Sequence, residues 1–141
     1  MKGSPFRYET LLEVVEKRLD GLQQDLSRLR TERRAVRQEV QALVQERRRV
    51  ESSFQQEELA GEVGHALDYL AVLLQRTRLA RGRDEALRGR IQEKVRALRE
   101  VHTERKRFGR LKERHQKDMQ RCQRVLEQKV TDEFSQRNRK A

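Results

Sequence analysis

The feature that most constrains this chain is an apolar stripe in its first third. Steps of alternately four and three residues, begun at Tyr8, visit fourteen positions, of which twelve are apolar or aromatic. This 3.5-residue repeat predicts a long helix that packs its stripe against a partner helix in a left-handed coiled coil. The stripe consists of Tyr8, Leu12, Val15, Leu19, Leu22, Leu26, Leu29, Arg33, Val36, Val40, Leu43, Arg47, Val50 and Phe54.

Two arginines, Arg33 and Arg47, interrupt this stripe. In the simpler interpretation, their aliphatic stems cover the seam while the guanidinium groups reach solvent or a Glu. In the alternative, they fix the register of the pairing, as single polar residues do in other coiled coils. The simpler interpretation predicts that Leu at either position raises thermal stability.

A second, less regular helical pattern covers residues 66–136. Strict four-three spacing here also meets charged residues such as Lys94 and Lys112, which predicts local relaxation of the supercoil. His115 lies on this stripe and is interpreted as a seam residue, and Cys122 as a small apolar filler. The apolar stripe positions are Leu87, Ile91, Leu98, Val101, Phe108, Met119, Cys122 and Leu126.

Together the two patterns predict an all-α fold, a long two-helix antiparallel coiled-coil hairpin forming one elongated domain over residues 1–141. Ser4 and Pro5 are typical of a helix start, so the first helix is expected at about 5–56. Glycines favour a bend at about 57–65 and leave open a second bend near Gly82. The longer second helix then either extends past the first or folds back. A dimer that pairs both seams between chains remains the alternative.

Composition supports a thin helical assembly. Charged residues make up 40% of the 141 residues and hydrophobic ones 34%, too few to build a round core. The longest apolar run, 70–74, is too short to cross a membrane, so no transmembrane segment is expected. The charged N-terminal region does not resemble a secretory signal. We therefore expect a soluble cytoplasmic protein.

The net charge of +11 is concentrated in one region. Residues 76–124 hold eighteen Lys or Arg and seven Asp or Glu, while the remainder is neutral. We interpret this as a solvated helical face with a preference for an acidic partner surface. Specific nucleic-acid binding is not expected, because the basic stretch does not precede the heptads and aromatic residues are few.

No motif for catalysis is present. The glycines form no phosphate-binding loop, and the three histidines lie too far apart to form a helical metal pair. We therefore expect no enzymatic activity, no cofactor and no metal.

The two ends of the chain carry the most specific signal. The opening residues 5–12 read PFRYETLL and lead into Glu16 and Lys17, and residues 127–137 read EQKVTDEFSQR. Both segments resemble the ends of the flagellar export protein FliJ family, with Ser135 in place of the usual Ala. The resemblance implies a coiled coil like the central stalk of rotary ATPases. It also implies three partners, namely the flagellar export ATPase hexamer, the cytoplasmic domain of the export gate protein FlhA, and export chaperones.

The resemblance further implies two contact regions and a location. The protein would associate peripherally with the cytoplasmic side of the inner membrane at the flagellar base. The ATPase-facing end would include Phe6, Arg7, Leu11, Lys129, Asp132, Glu133, Phe134 and Arg137, although Phe6 and Phe134 could instead pack together to lock the hairpin. The gate-facing end would lie near Leu43, Val50, Leu73 and Ala80, of which Leu43 and Val50 also lie on the seam.

Two other classes of function remain open from the residues alone. One is a basic coiled-coil protein that binds nucleic acid, and the other is a purely structural dimeric rod.

Overall fold

The computed structural model of the protein describes residues 7–55 and 63–140. These residues form two α-helices, α1 (Glu9–Gln55) and α2 (Val63–Lys140), and no strand occurs in the described ranges. The helices pack against each other as a helical hairpin, which confirms the predicted all-α fold. Ser4 and Pro5, and most of the predicted bend at 57–65, lie outside the described residues.

The observed helix limits differ slightly from those expected. The first hydrogen bond of α1 runs from the backbone N–H of Leu12 to the carbonyl of Tyr8, at 2.9 Å. Glu9 follows in the first turn, where a carboxylate interacts favourably with the helix dipole. Helix α2 runs through Gly82, so this residue lies inside one helix and does not separate two.

The chain divides into two compact units, each built from both helices. The terminal unit combines Met1–Asp20 with Arg99–Ala141, and the central unit is Gly21–Leu98. In the terminal unit, the ring of Tyr8 lies 5.9 Å from that of Phe108. The buried apolar residues of this unit are Leu12, Val15, Leu19 and Val101.

The helices are antiparallel in each unit. In the terminal unit, Glu9 pairs with Lys112 at 3.3 Å and Glu16 with Arg105 at 4.0 Å, so the number on α2 falls as that on α1 rises. The central unit shows the same order. Its ion pairs join Asp25 to Lys94, Arg33 to Asp84 and Glu39 to Arg83. Its buried apolar residues are Leu26, Leu29, Leu73, Ala80 and Leu87.

The stripe predicted for α1 is confirmed, because all fourteen of its positions are buried or half-buried. The stripe of α2 begins at Ala66, before Leu87, which is the first stripe position predicted from the sequence. Buried and half-buried residues follow four-three spacing from Ala66 onward and include the polar Thr77 and Asp84. The Thr77 hydroxyl donates to the carbonyl of Leu73 at 2.7 Å, which satisfies its buried polar group.

Charged residues on the seam are paired across it. Lys112 contacts Glu9 and Lys94 contacts Asp25, so two of the polar positions that weakened the α2 pattern meet carboxylates of α1. Arg33 does not extend to solvent or a Glu, as the simpler interpretation expected. Its Nε donates to Oδ1 of Asp84 at 2.9 Å. The alternative interpretation, a residue that fixes register, describes Arg33 better.

Asp84 accepts from two arginines of α1. Arg33 is bound at 2.9 Å, and Arg37 lies 3.5 Å from the same carboxylate oxygen. The hydrogen bond from Arg33, with the charges of both arginines, lowers the pKa of Asp84 although burial opposes this. The ionised carboxylate is therefore favoured in the folded state.

Arg47 differs from Arg33 in having, among the described residues, no partner on the other helix. Its Nε is buried and makes no hydrogen bond, and the carboxylate of Glu51, on the same helix, lies 3.6 Å away. A buried donor without an acceptor costs stability. Arg47 therefore weakens the seam that Arg33 strengthens.

Leu substitutions at the two arginines should have opposite effects. We expect Arg33→Leu to lower the free energy of unfolding by about 1 kcal/mol, because it deprives Asp84 of its closest donor. Arg47→Leu should raise it by about 0.5 kcal/mol, because it removes an unsatisfied group. Urea unfolding at neutral pH, followed by circular dichroism, measures both, and each variant controls for the other. Changes of the same sign would contradict this account.

The stabilisation by Asp84 should depend on pH. A carboxylate whose pKa is lowered by folding stabilises the fold above its unfolded-state pKa, and this contribution is lost as pH falls through the folded-state value. We expect Asp84→Asn to cost about 1 kcal/mol at neutral pH, and this difference from the unsubstituted protein to shrink below about pH 4. Asp118→Asn, at an exposed position of α2, is the control. A difference independent of pH would show that charge is not responsible.

Candidate partner-binding surfaces

Within the described residues, no helix packs against the last part of α2. Residues 120–139 are all exposed, because α1 starts at Glu9 opposite Lys112 while α2 continues to Lys140. The longer helix therefore extends past the shorter one, which settles an alternative that the sequence left open. We call residues 120–139 the terminal segment. Its exposed apolar side chains are Val125, Leu126, Val130 and Phe134.

Cys122 lies in the terminal segment and is exposed. The interpretation of this residue as an apolar filler of the seam is therefore wrong. Its position fits the heptad repeat, but α1 provides no surface against which it could pack. His115, four residues before the half-buried Met119, is half-buried as expected of a seam residue.

The structure places the ATPase-end residues in two groups within the terminal unit. Arg7 and Leu11 are exposed beside the start of α1, and the Arg7 guanidinium lies 5.7 Å from the centre of the Tyr8 ring. The second group lies at least 17 residues beyond Lys112, roughly 25 Å along α2. It consists of Lys129, Asp132, Glu133, Phe134 and Arg137, all exposed.

The sequence also allows Phe6 and Phe134, two residues of the ATPase-facing end, to pack together and lock the hairpin. Phe6 lies outside the described residues. Phe134 is 66% exposed, so this ring is accessible to a partner.

The gate-end residues lie in or beside the core of the central unit. Leu73 is 2% exposed and Ala80 is fully buried, while Leu43 and Val50 are half-buried on the α1 stripe. A partner could reach Leu73 or Ala80 only if the two helices separated. Accessible apolar side chains lie near them in the sequence, namely Leu67, Val72, Leu74 and Leu79.

Tyr69 joins the two helices close to these exposed apolar residues. Its hydroxyl donates to Glu46 at 3.1 Å, and the same carboxylate oxygen accepts from Arg49 at 2.6 Å. The hydrogen bond to Glu46 raises the pKa of Tyr69. The phenol therefore remains a neutral donor and holds the outward-facing ring in place.

The described residues contain no group of His, Cys, Asp or Glu side chains that could hold a metal ion. Neither helix contains, in those residues, a stretch long and apolar enough to cross a membrane. What the structure offers is a set of exposed helical surfaces suited to binding other proteins.

Comparison with known proteins identifies the family. The family model described as Flagellar FliJ protein matches residues 4–140. The chain belongs to the FliJ family. Membership implies that the chain is a component of the flagellar export apparatus. The family consists of structural export proteins and is not known to contain enzymes. Neither a curated protein nor a solved structure matches this FliJ protein significantly.

Leu73 and Leu74 are neighbours in the sequence, but the first is buried and the second is exposed, so their substitution should affect stability differently. Leu73→Ala should lower the free energy of unfolding by about 2–4 kcal/mol, because it leaves a cavity between the helices. Leu74→Ala removes a side chain that is 50% exposed and should change stability by less than about 0.5 kcal/mol. Thermal and urea unfolding measure both. Equal effects would show that the two side chains are not buried as the structure describes.

Proposed function

We propose that this chain is a non-enzymatic coiled-coil stalk of the bacterial flagellar type III export apparatus. In this proposal it binds the export ATPase ring, links it to the cytoplasmic domain of the export gate protein FlhA, and escorts export chaperones. Family membership over nearly the whole chain supports the general role. The terminal segment, a stretch of helix with exposed apolar residues and no partner helix, is the observation that carries the ATPase contact.

The terminal segment has the composition of a binding surface. Leu126, Val130 and Phe134 are spaced by four residues and follow one side of the helix. Burying a large apolar side chain contributes about 1.5–3 kcal/mol, so three of them can drive association. Lys129, Glu133 and Arg137 lie beside them and carry charges of both signs, which suits the polar rim of an interface, whereas Asp132 lies on the other side of the helix.

The gate contact is proposed for the central unit. Leu73 and Ala80 are buried in the core of this unit. The accessible Leu67, Val72 and Leu74 present apolar side chains to solvent near them in the sequence. An interaction with the gate would bury these exposed side chains and leave the helix pairing intact. Such contacts would hold the protein peripherally at the cytoplasmic side of the inner membrane.

The ATPase contact can be tested by deleting residues 127–141. Because this part of α2 contacts no other helix, the truncated protein should keep its melting temperature. It should no longer promote hexamer assembly or ATP turnover of the purified cognate export ATPase. Retained stimulation would contradict the proposed contact, and a large loss of stability would show that the segment packs within the protein.

A single substitution with a matched control sharpens this test. Phe134→Ser should weaken binding to the ATPase by at least about tenfold, because burial of a Phe ring is lost. Leu79→Ser makes a similar change at a side chain that is 61% exposed in the central unit, and it should leave ATPase binding unchanged. Equal binding by both variants would exclude Phe134 from the interface.

A further inference from the structure

A regular row of cations follows the terminal unit's part of α2. The six residues are separated by steps of four, four, three, four and three, and all are exposed. No acidic residue interrupts the row at this spacing. We call it the cation ladder, and its members are Lys106, Arg110, Arg114, Lys117, Arg121 and Arg124.

The cation ladder lies on the side of α2 opposite the seam. Phe108, Lys112, His115 and Met119 are half-buried and lie on one face of α2, and this face meets α1 where Phe108 lies beside Tyr8 and Lys112 pairs with Glu9. The ladder residues 110, 114, 117 and 121 each follow one of them by two positions, a rotation of about 200° around the helix. These cations therefore point away from α1 into solvent.

The cation ladder makes no close ion pair within the described residues, although Glu113 and Asp118 lie three or four residues from Arg110, Arg114, Lys117 and Arg121 along the helix. None of its six members forms an ion pair there, whereas Arg105 and Lys112 of the same helix pair with Glu16 and Glu9. Like charges three or four residues apart on a helix repel one another. The row keeps these like charges close together, and an anionic partner would relieve their mutual repulsion.

We propose that the cation ladder is a docking surface for an acidic α-helix of a partner protein. A helix with carboxylates at the same four-three spacing advances about 5 Å per step, as the ladder does, so each cation meets one carboxylate. Four of the six cations are Arg, whose forked guanidinium matches a carboxylate geometrically. The ladder includes none of the residues proposed to contact the ATPase or the gate, although Arg121 and Arg124 lie in the terminal segment, and its role goes beyond theirs.

Two other anionic partners fit the geometry less well. The phosphates of duplex DNA wind around their own axis, so a straight row of roughly 27 Å would meet them over only part of its length. A helix that lies on a membrane inserts an apolar face beside its cations, but Val101 and Phe108 of α2 are turned toward α1, and the exposed Leu126, Val130 and Phe134 come only after the end of the ladder. An acidic helix is the partner that can engage all six cations at once.

The test measures binding of the full-length protein to defined probes at about 0.15 M salt. The first probe is a labelled synthetic helix carrying Glu at four-three spacing, and the second has the same composition with the Glu positions shuffled. Duplex DNA and phosphatidylserine vesicles are the third and fourth. We expect the first probe to bind at least about tenfold more tightly than the second. Equal binding of the two peptides, or tighter binding of DNA or vesicles, would overturn the proposal.

Charge reversals locate the binding surface. Arg110→Glu, Arg114→Glu and Lys117→Glu together should weaken binding of the first probe by at least about tenfold. The matched control reverses three exposed arginines of α1, Arg18, Arg30 and Arg34, and changes the net charge equally. Equal losses of binding in the two variant proteins would show that net charge alone is responsible and would contradict the proposal.

Circular dichroism verifies that each charge-reversed protein retains its helices. Should the ladder variant unfold, the corresponding Gln substitutions remove the three charges without adding carboxylates. They should still weaken binding of the first probe, and unchanged binding would overturn the proposal.

Discussion

The pairing of seam cations with carboxylates of the opposite helix determines how the two helices align. An apolar stripe alone tolerates a shift by one heptad, because the next Leu or Val would serve almost equally well. Lys112 meets Glu9 in the terminal unit, and Arg33 meets Asp84 in the central unit. A shift by seven residues would place Arg33 opposite Thr77 or Ile91 and Asp84 opposite Leu26 or Val40, without a charged partner, whereas in one direction Lys112 would meet Glu16 in place of Glu9. The charged seam positions thus provide the specificity that the apolar ones lack.

The exposed surfaces follow from this alignment. With Glu9 held opposite Lys112, α1 cannot cover the last part of α2, and Phe134 is left accessible. With Phe108 and Lys112 turned toward α1, the cation ladder faces solvent on the opposite side of α2. In the proposed function, different proteins engage these separate surfaces while the seam stays closed.

Much of the hairpin could be predicted from the sequence, because α1 has a regular repeat and its stripe positions are all buried or half-buried. The start of the α2 stripe was missed because Thr77 and Asp84 are polar, and a search for apolar residues passes over them. Asp84 could have been found by seeking a carboxylate for Arg33. The exposure of Cys122 could not have been predicted, since it depends on where α1 begins and not on the heptad repeat. The buried state of Leu73 likewise depends on which face of an apolar run meets α1.

The most direct test of the account is whether the two stripes pair within one molecule. Spin labels at the exposed positions 32 and 85 of the central unit, in a chain whose Cys122 is replaced by Ser, report the separation of α1 and α2 beside Arg33 and Asp84. Helices packed at 8–10 Å predict label distances of roughly 10–25 Å. This short distance should persist when labelled protein is diluted with excess unlabelled protein. Its disappearance on dilution would show that the stripes pair between chains and would contradict the intramolecular hairpin.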